Sequence, residues 1–298
     1  MTTIRVSELT KDYTIKKGLG RSAFRAVDRV SFELVPGRTV ALVGESGSGK
    51  STIARILSRL EKPSGGRIEV TRDDGTPVPR SLYRQHVQMV FQDPFASLNP
   101  FHTIEHHIAR PIRIHHPDRN ARAVHEKVLS MLERVNLHPA DDVAARRPHE
   151  LSGGQRQRVA IARALAPGAE VLIADEPVSM LDVSIRLGVL NLLGRLQRED
   201  DLALLYITHD LATARHFSDE ILVLYRGRIV ERGPADDVIL NPQHAYTRLL
   251  AVAAPDPEKI GKVVSGEVVT DRSTLDNTVC FNHYTQSWES ADREPAHA

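Results

Sequence analysis

The stretch that decides the fold is Gly44-Glu-Ser-Gly-Ser-Gly-Lys-Ser51, preceded by the apolar run Thr39-Val-Ala-Leu-Val43 and followed by Thr52-Ile-Ala-Arg-Ile-Leu57. It fits the pattern G-x-x-x-x-G-K-[ST] in the setting its chemistry requires, a strand, then a glycine-rich loop, then a helix. The glycines let the backbone curl until its N–H groups point at phosphate oxygens. Lys50 supplies a positive charge to β- and γ-phosphates, Ser51 offers a hydroxyl to Mg²⁺, and the helix start adds the positive end of its dipole. Gly44, Glu45, Ser46, Gly47, Ser48, Gly49, Lys50, Ser51 and Thr52 therefore form the candidate nucleotide-contacting set.

Working outward, the segments Ile4–Leu9, Val30–Val35 and Thr39–Val43 read as strands, with Pro36-Gly37 as a turn between the last two. After the loop a helical pattern runs from Ser51 to about Leu60, its apolar face made by Ile53, Ala54, Ile56, Leu57 and Leu60, until Pro63 and Gly65-Gly66 break it. Helical periodicity dominates residues 104 to about 138, through Val124, Val128, Leu129, Leu132 and Val135. The chain then alternates a helix over Gly153–Ala166, a strand over Val171–Ala174, a helix over Ile185–Gln197 and a strand over Leu202–Ile207. That alternation predicts an α/β fold, a mostly parallel core sheet with helices packed on it, interrupted by a helical insert. From Pro255 onward the sequence is polar and poorly periodic, which predicts an appended tail with frayed ends.

Two further stations carry chemistry. Val171-Leu-Ile-Ala-Asp175-Glu176 is a buried-strand pattern ending in paired acids, at the carboxyl end where ligands of α/β sheets gather. Neighbouring side chains on a strand point to opposite faces, so the pair divides its work. Asp175 is assigned to Mg²⁺ and Glu176 to polarising an attacking water. Leu151-Ser152-Gly153-Gly154-Gln155 opens a helix, with Ser152 as N-cap and the glycines leaving backbone N–H groups accessible, a second anion site in the same chain. One nucleotide cannot use both sites if they lie far apart, which suggests that this one serves a nucleotide held by a partner molecule.

Composition excludes several classes. Lys plus Arg number 39 against 38 for Asp plus Glu, so no broad polyanion-binding surface is expected and no nucleic acid. A single cysteine, Cys280, rules out an intramolecular disulfide framework or a multi-cysteine metal site. The start lacks a basic segment followed by an apolar one, and no apolar run is long enough to span a bilayer, so the chain is expected to be neither secreted nor integral. His102, His106, His107, His115 and His116 are expected to be solvated surface histidines rather than a zinc site, although spacing places His102 and His106 on one helical face.

Leu151–Gln155 is identical to the signature of ABC ATPases and stands about 20 residues before the Asp175-Glu176 strand, as in that family. The resemblance covers roughly residues 4 to 253 and extends to other stations. Gln92, in Met89-Val-Phe-Gln-Asp-Pro94, resembles the Q-loop, which contacts Mg²⁺ or water and senses the membrane domains. Ser179-Met-Leu-Asp182 is similar to the D-loop, with Met180 where the family usually has Ala. His209, in Ile207-Thr-His-Asp210, matches the switch histidine that contacts the γ-phosphate, and Tyr13 lies where the family stacks an aromatic on adenine.

The resemblance implies ATP and Mg²⁺ as cofactors, with Lys50, Gln92, Glu176 and His209 catalytic and Ser51, Gln92 and Asp175 near the metal. It adds Tyr13, Ser152, Gly154, Gln155 and Asp182 to the nucleotide contacts. It also implies an ABC-type P-loop ATPase domain over 1–253, carrying an N-terminal antiparallel β segment and a helical subdomain at about 93–150, followed by a tail at 254–298. Phe91–Pro100, Pro148–Arg158 and Asn241–Leu250 resemble the oligopeptide/dipeptide/nickel importer ATPases. That group implies a second ATPase subunit, identical or related, two membrane permease subunits, an extracytoplasmic solute-binding protein and a peripheral place on the cytoplasmic membrane face. Di- or oligopeptides are its commonest cargo, with oligosaccharide or nickel as alternatives. Many members carry a cysteine-rich C-terminal segment, but Cys280 stands alone, so no iron–sulfur site is expected. DNA-repair and translation ABC ATPases, which work without membrane partners, are set aside because the long coiled coil and the doubled cassette are missing.

Overall fold

The computed structural model describes residues 1–17, 20–253 and 279–290. Strands β1 (Thr2–Lys17), β2 (Gly20–Leu34) and β4 (Gly65–Arg72) form an antiparallel sheet in the order β2-β1-β4. A larger sheet contains β3 (Thr39–Val43), β5 (Val87–Val90), β6 (Val171–Asp175), β7 (Ala203–Thr208), β8 (Glu220–Tyr225), β9 (Arg228–Pro234), β10 (Val279–Asn282) and β11 (Ser287–Ser290). Its order is β11-β10-β9-β8-β3-β7-β6-β5. Strands β8, β3, β7, β6 and β5 run parallel, whereas β9 returns antiparallel on β8. Every residue of β3, β6 and β7 is buried, which is why those strands read as unbroken apolar runs.

Strand alternation sends the core to both faces of this sheet. Val40, Leu42, Ile173, Leu205 and Ile207 face helix α1 (Lys50–Leu57) and the antiparallel sheet. Ala41, Val43, Leu172, Leu204 and Tyr206 face α7 (Gly153–Leu165) and α8 (Val183–Glu199). Between β4 and α7 lie the short α2 (Tyr83–His86) and α3 (Pro94–Ser97), then α4 (Ile104–His115), α5 (Ala121–Arg134) and α6 (Ala140–Ala145). The starts of α4 and α5 are fixed by side-chain caps, Thr103 accepting from His106 N–H and Asn120 from Ala123 N–H. Helices α9 (Leu211–Phe217), α10 (Ala235–Leu240) and α11 (Ala245–Ala253) follow α8 in chain order.

Several expectations need correction. The helix after the loop ends at Leu57: Arg59 takes a left-handed φ of 54°, its N–H bonds Ile56 O, and Leu60 N–H reaches back to Arg55 O, closing the helix end. Leu60 is consequently 58% exposed instead of lying on the apolar face. The N-terminal strands run well beyond 4–9 and 30–35, because the outer half of the β1–β2 pair is polar and leaves no apolar signature. The tail is not wholly frayed: β10 and β11 pair with each other, and β10 joins β9 in parallel, extending the large sheet. The remainder of the tail, residues 254–278 and 291–298, lies outside the described residues. Nor are the histidines all solvated. His107 is buried with Nε2 3.0 Å from Asn99 O, and His116 Nε2 lies 3.0 Å from Pro167 O. His102 and His106 do share a face, their rings stacked at 4.0 Å, and no cluster of three or more metal-ligating residues occurs among the described residues.

Candidate nucleotide site

The loop between β3 and α1 is held open by geometry that only glycine allows. At Gly49, φ is 112° and an added Cβ would sit 2.4 Å from Ala26 O, so any other residue there pushes the loop off its support. Gly49 is also the N-cap of α1 and provides no side-chain acceptor, leaving the first-turn N–H groups free for an anion. Glu45, Ser46 and Gly47 at the crest are exposed, whereas Ser48 and Lys50 are buried. Ser48 Oγ has no hydrogen-bond partner despite its burial, an orphaned group that a phosphate oxygen fits.

Lys50 is folded back onto its own loop, Nζ donating to Gly44 O at 2.7 Å and Glu45 O at 2.9 Å. Burial lowers the pKa of its ammonium, against the attraction of Glu176, Asp175 and Glu45. Carbonyls that hold a lysine this way act as a resting perch, released when a phosphate offers full negative charge.

Across from the loop, Asp175 closes β6 and accepts from Ser51 Oγ at 3.2 Å. Burial raises its carboxyl above the ordinary carboxylate range, and the charge of Glu176 adds to that, opposed by the Ser51 bond and Lys50. Glu176 follows in a left-handed conformation, φ 46°, with its N–H donated to Ile207 O. That turn lets adjacent acids serve one site although a straight strand would part them. Gln92 Nε2 donates to Glu176 Oε2 at 2.9 Å, while His209 Nδ1 lies 3.3 Å from Oε1. Three strand ends, those of β5, β6 and β7, thus converge on one carboxylate. Ser51, Gln92 and Asp175 also line a cavity of about 590 Å³ that continues toward Arg110 and Arg163.

The Tyr13 hydroxyl donates to Glu61, a few residues beyond the end of α1, at 2.5 Å. The second group of sequence-predicted residues gathers elsewhere. Ser152 Oγ accepts from Gln155 N–H while Gln155 Oε1 accepts from Ser152 N–H, a closed capping box at the start of α7. Gly154 packs on the start of α8, an added Cβ falling 2.6 Å from Ile185 Cγ2, and Asp182 caps that helix without a side-chain bond. Among the described residues no hydrogen bond joins Ser152, Gly154, Gln155 or Asp182 to the phosphate loop.

Sequence reasoning missed Tyr246, whose hydroxyl accepts the Glu45 N–H at 2.8 Å. Its only linear signal is the Asn241–Leu250 segment, which says nothing of contact with a loop some two hundred positions away.

Residues 27–179, which hold Lys50, Gln92, Ser152, Asp175 and Glu176, match the family described as ABC transporter. The chain belongs to that family. It is 44% identical over 277 residues to the di/tripeptide transport ATP-binding protein DppF of Pseudomonas aeruginosa, covering 90% of this chain and 84% of that protein. It is 48% identical over 263 residues to the glutathione import ATP-binding protein GsiA of Escherichia coli K12, covering 86% of this chain but only 41% of GsiA. Among solved structures, the dimeric post-hydrolysis state of the ATP-binding cassette MJ0796 bound to ADP and Pi matches with a TM-score of 0.65 and 30% identity. It covers 78% of this chain and 98% of the cassette. No described helix of this ABC family member is long and apolar enough to cross a membrane.

Proposed function

We propose that this chain is the ATP-hydrolysing motor subunit of a transporter that imports di- or oligopeptides. The observation that carries the ATPase reading is the Glu176 carboxylate, gripped by Gln92 and His209 beside the Ser51–Asp175 pair and the uncapped loop. Lys50 leaves Gly44 O and Glu45 O for the β- and γ-phosphates, and the free N–H groups of the loop and α1 cradle their oxygens. A hydroxyl and a carboxylate oxygen at 3.2 Å are hard ligands suited to Mg²⁺, so Ser51 and Asp175 would hold that ion. When bound, Mg²⁺ neutralises charge on the phosphate oxygens. Glu176 polarises the attacking water, with Gln92 orienting the carboxylate and His209 turned from it toward the γ-phosphate once nucleotide is present. Tyr13 would stack on the adenine.

The lack, among the described residues, of any hydrogen bond between the Ser152 group and the loop supports a shared site, in which Ser152, Gly154, Gln155 and Asp182 complete the ATP site of a second ATPase subunit. Two permease subunits, fed by an extracytoplasmic binding protein, would hold the pair at the cytoplasmic membrane face. The names of DppF and GsiA support a peptide cargo. ATP closure itself is blind to cargo, so cargo needs its own test. A deletion strain should lose di- or oligopeptide uptake and resist toxic peptide analogues. Normal peptide uptake with lost growth on an oligosaccharide, or with nickel deficiency, refutes the cargo and spares the motor.

A further inference from the structure

A chain of buried contacts leads to the phosphate loop from the far end of the sequence. We infer that Tyr246 is a positioning residue of the nucleotide site and that the C-terminal hairpin β10–β11 sets it through the buried Glu231. The inference rests on the ATPase reading above.

The geometry begins at one peptide unit. Between Gly44 and Glu45, the carbonyl accepts from Lys50 Nζ at 2.7 Å and the N–H is donated to Tyr246 Oη at 2.8 Å. Both ends of that peptide are therefore pinned in the resting loop. When Lys50 moves to phosphate, the carbonyl end is released and the Tyr246 bond is the side-chain restraint that stays. A peptide held at one end keeps its plane, and with it the direction of the following N–H groups that receive phosphate. Without that restraint the peptide is free to rotate, and ordering it again is charged to nucleotide binding.

Tyr246 is itself immobilised. It is 2% exposed, and its ring lies 4.2 Å from that of Tyr225 at the end of β8. Its N–H is donated to His244 Nδ1 at 3.1 Å, at the start of α11. That start is anchored by Glu231 on β9, a fully buried carboxylate accepting from Gln243 N–H at 2.8 Å and His244 N–H at 2.9 Å. A carboxylate at a helix start satisfies free N–H groups and the helix dipole together. Its other partner comes from the tail: His283 Nε2 lies 2.8 Å from Glu231 Oε1. His283 is fixed in turn by its N–H bond to Arg232 O at 2.9 Å and by the pairing of Phe281 with Glu231 in the sheet. The hairpin, His283, Glu231, the start of α11, Tyr246 and the Glu45 peptide form one continuous path of hydrogen bonds, with no exposed side chain in it until the loop crest.

The test is a titration of the purified full-length chain, as it occurs with its partner subunit, with MgADP and MgATP bearing a fluorescent ribose label, alongside steady-state hydrolysis. Tyr246→Phe keeps the ring against Tyr225 and removes only the hydroxyl. It should weaken both nucleotides about three- to tenfold, the scale of one hydrogen bond, and raise KM while saturating ATP restores kcat. A purely structural tyrosine would instead lower Tm and leave the KM-to-kcat split unmoved. His283→Gln, which retains a donor, should bind nucleotide as wild type does, whereas His283→Ala should weaken it in the same direction as Tyr246→Phe. The double variant should be no weaker than the stronger single one, the mark of a shared path. Unchanged affinity in Tyr246→Phe, or additive losses in the double variant, overturns the inference and leaves the ATPase reading standing. A wild-type chain that binds neither nucleotide overturns both.

Discussion

Replacement of Glu176 by Gln isolates the chemical step. The carboxylate accepts from Gln92 at 2.9 Å and faces His209 at 3.3 Å, and its side chain is 17% exposed. Gln has the same shape: its amide oxygen can still accept from Gln92, and its NH₂ can face His209 Nδ1 when that nitrogen is unprotonated. The left-handed turn at φ 46° suits Gln no worse than Glu. Loss of the charge also removes repulsion on Asp175, so the Ser51–Asp175 pair is not harmed. What disappears is proton acceptance from water. General-base catalysis is worth about 10²- to 10⁴-fold, or about 2.7 to 5.5 kcal/mol in the barrier. MgATP affinity should stay within about threefold of wild type, because lost attraction to Lys50 is its only direct penalty. Single-turnover hydrolysis with radiolabelled ATP, paired with equilibrium binding of MgATP, reads both quantities. Parental turnover in Glu176→Gln would refute the assignment, and so would loss of binding with proportionate loss of rate.

The remaining expectations concern Ser152 and Asp175. Ser152→Arg, which places a bulky cation in the capping box of α7, should leave nucleotide binding at the chain's own loop intact and abolish hydrolysis at the opposite site. Mixing it with a Lys50-deficient subunit, each inactive alone, should recover activity, whereas recovery of none in chains that do pair refutes the shared site. The raised carboxyl of Asp175 fixes the sign of two pH effects. Its ionisation costs the nucleotide-free fold stability, fully above the raised pKa, and that cost is relieved as pH falls from there toward the unfolded value. Over the same window proton and Mg²⁺ compete, so Mg²⁺ affinity should fall by up to about tenfold per pH unit. Both dependences should flatten in Asp175→Asn, read by thermal melts and Mg²⁺ titrations, and a wild-type pH dependence in that variant would contradict the account.

Much of the site was legible because it lies where sequence periodicity changes. The buried strands β3 and β6 each end in residues that cannot stay buried unpaired, Gly44 to Ser51 in one case and Asp175-Glu176 in the other. Ser152 was legible as the N-cap of α7, and the fold adds Gln155 as the other half of a capping box. Convergence of Gln92, Glu176 and His209 was not written in any one segment; it needs the parallel order of β5, β6 and β7, and β5 was not read from the sequence. The left-handed Glu176 had no local marker, since non-glycine residues take that conformation only when the surrounding fold holds it. The hairpin at 279–290 was missed because its strands are four residues each, short runs among polar sequence, and β10 gains its stability from pairing with β9. Tyr246 was missed for the same reason of distance: its value lies in a contact with Glu45 that only the folded sheet creates.

The central claim is that MgATP binds at the loop carrying Lys50. An equilibrium titration of MgATP into wild type and Lys50→Ala, with thermal melts to confirm that the variant is folded, tests it most directly. Wild type should bind saturably and hydrolyse what it binds, and folded Lys50→Ala should lose tight binding, because the side-chain charge directed at the β- and γ-phosphates is gone. Near-normal affinity and turnover in folded Lys50→Ala would contradict the account.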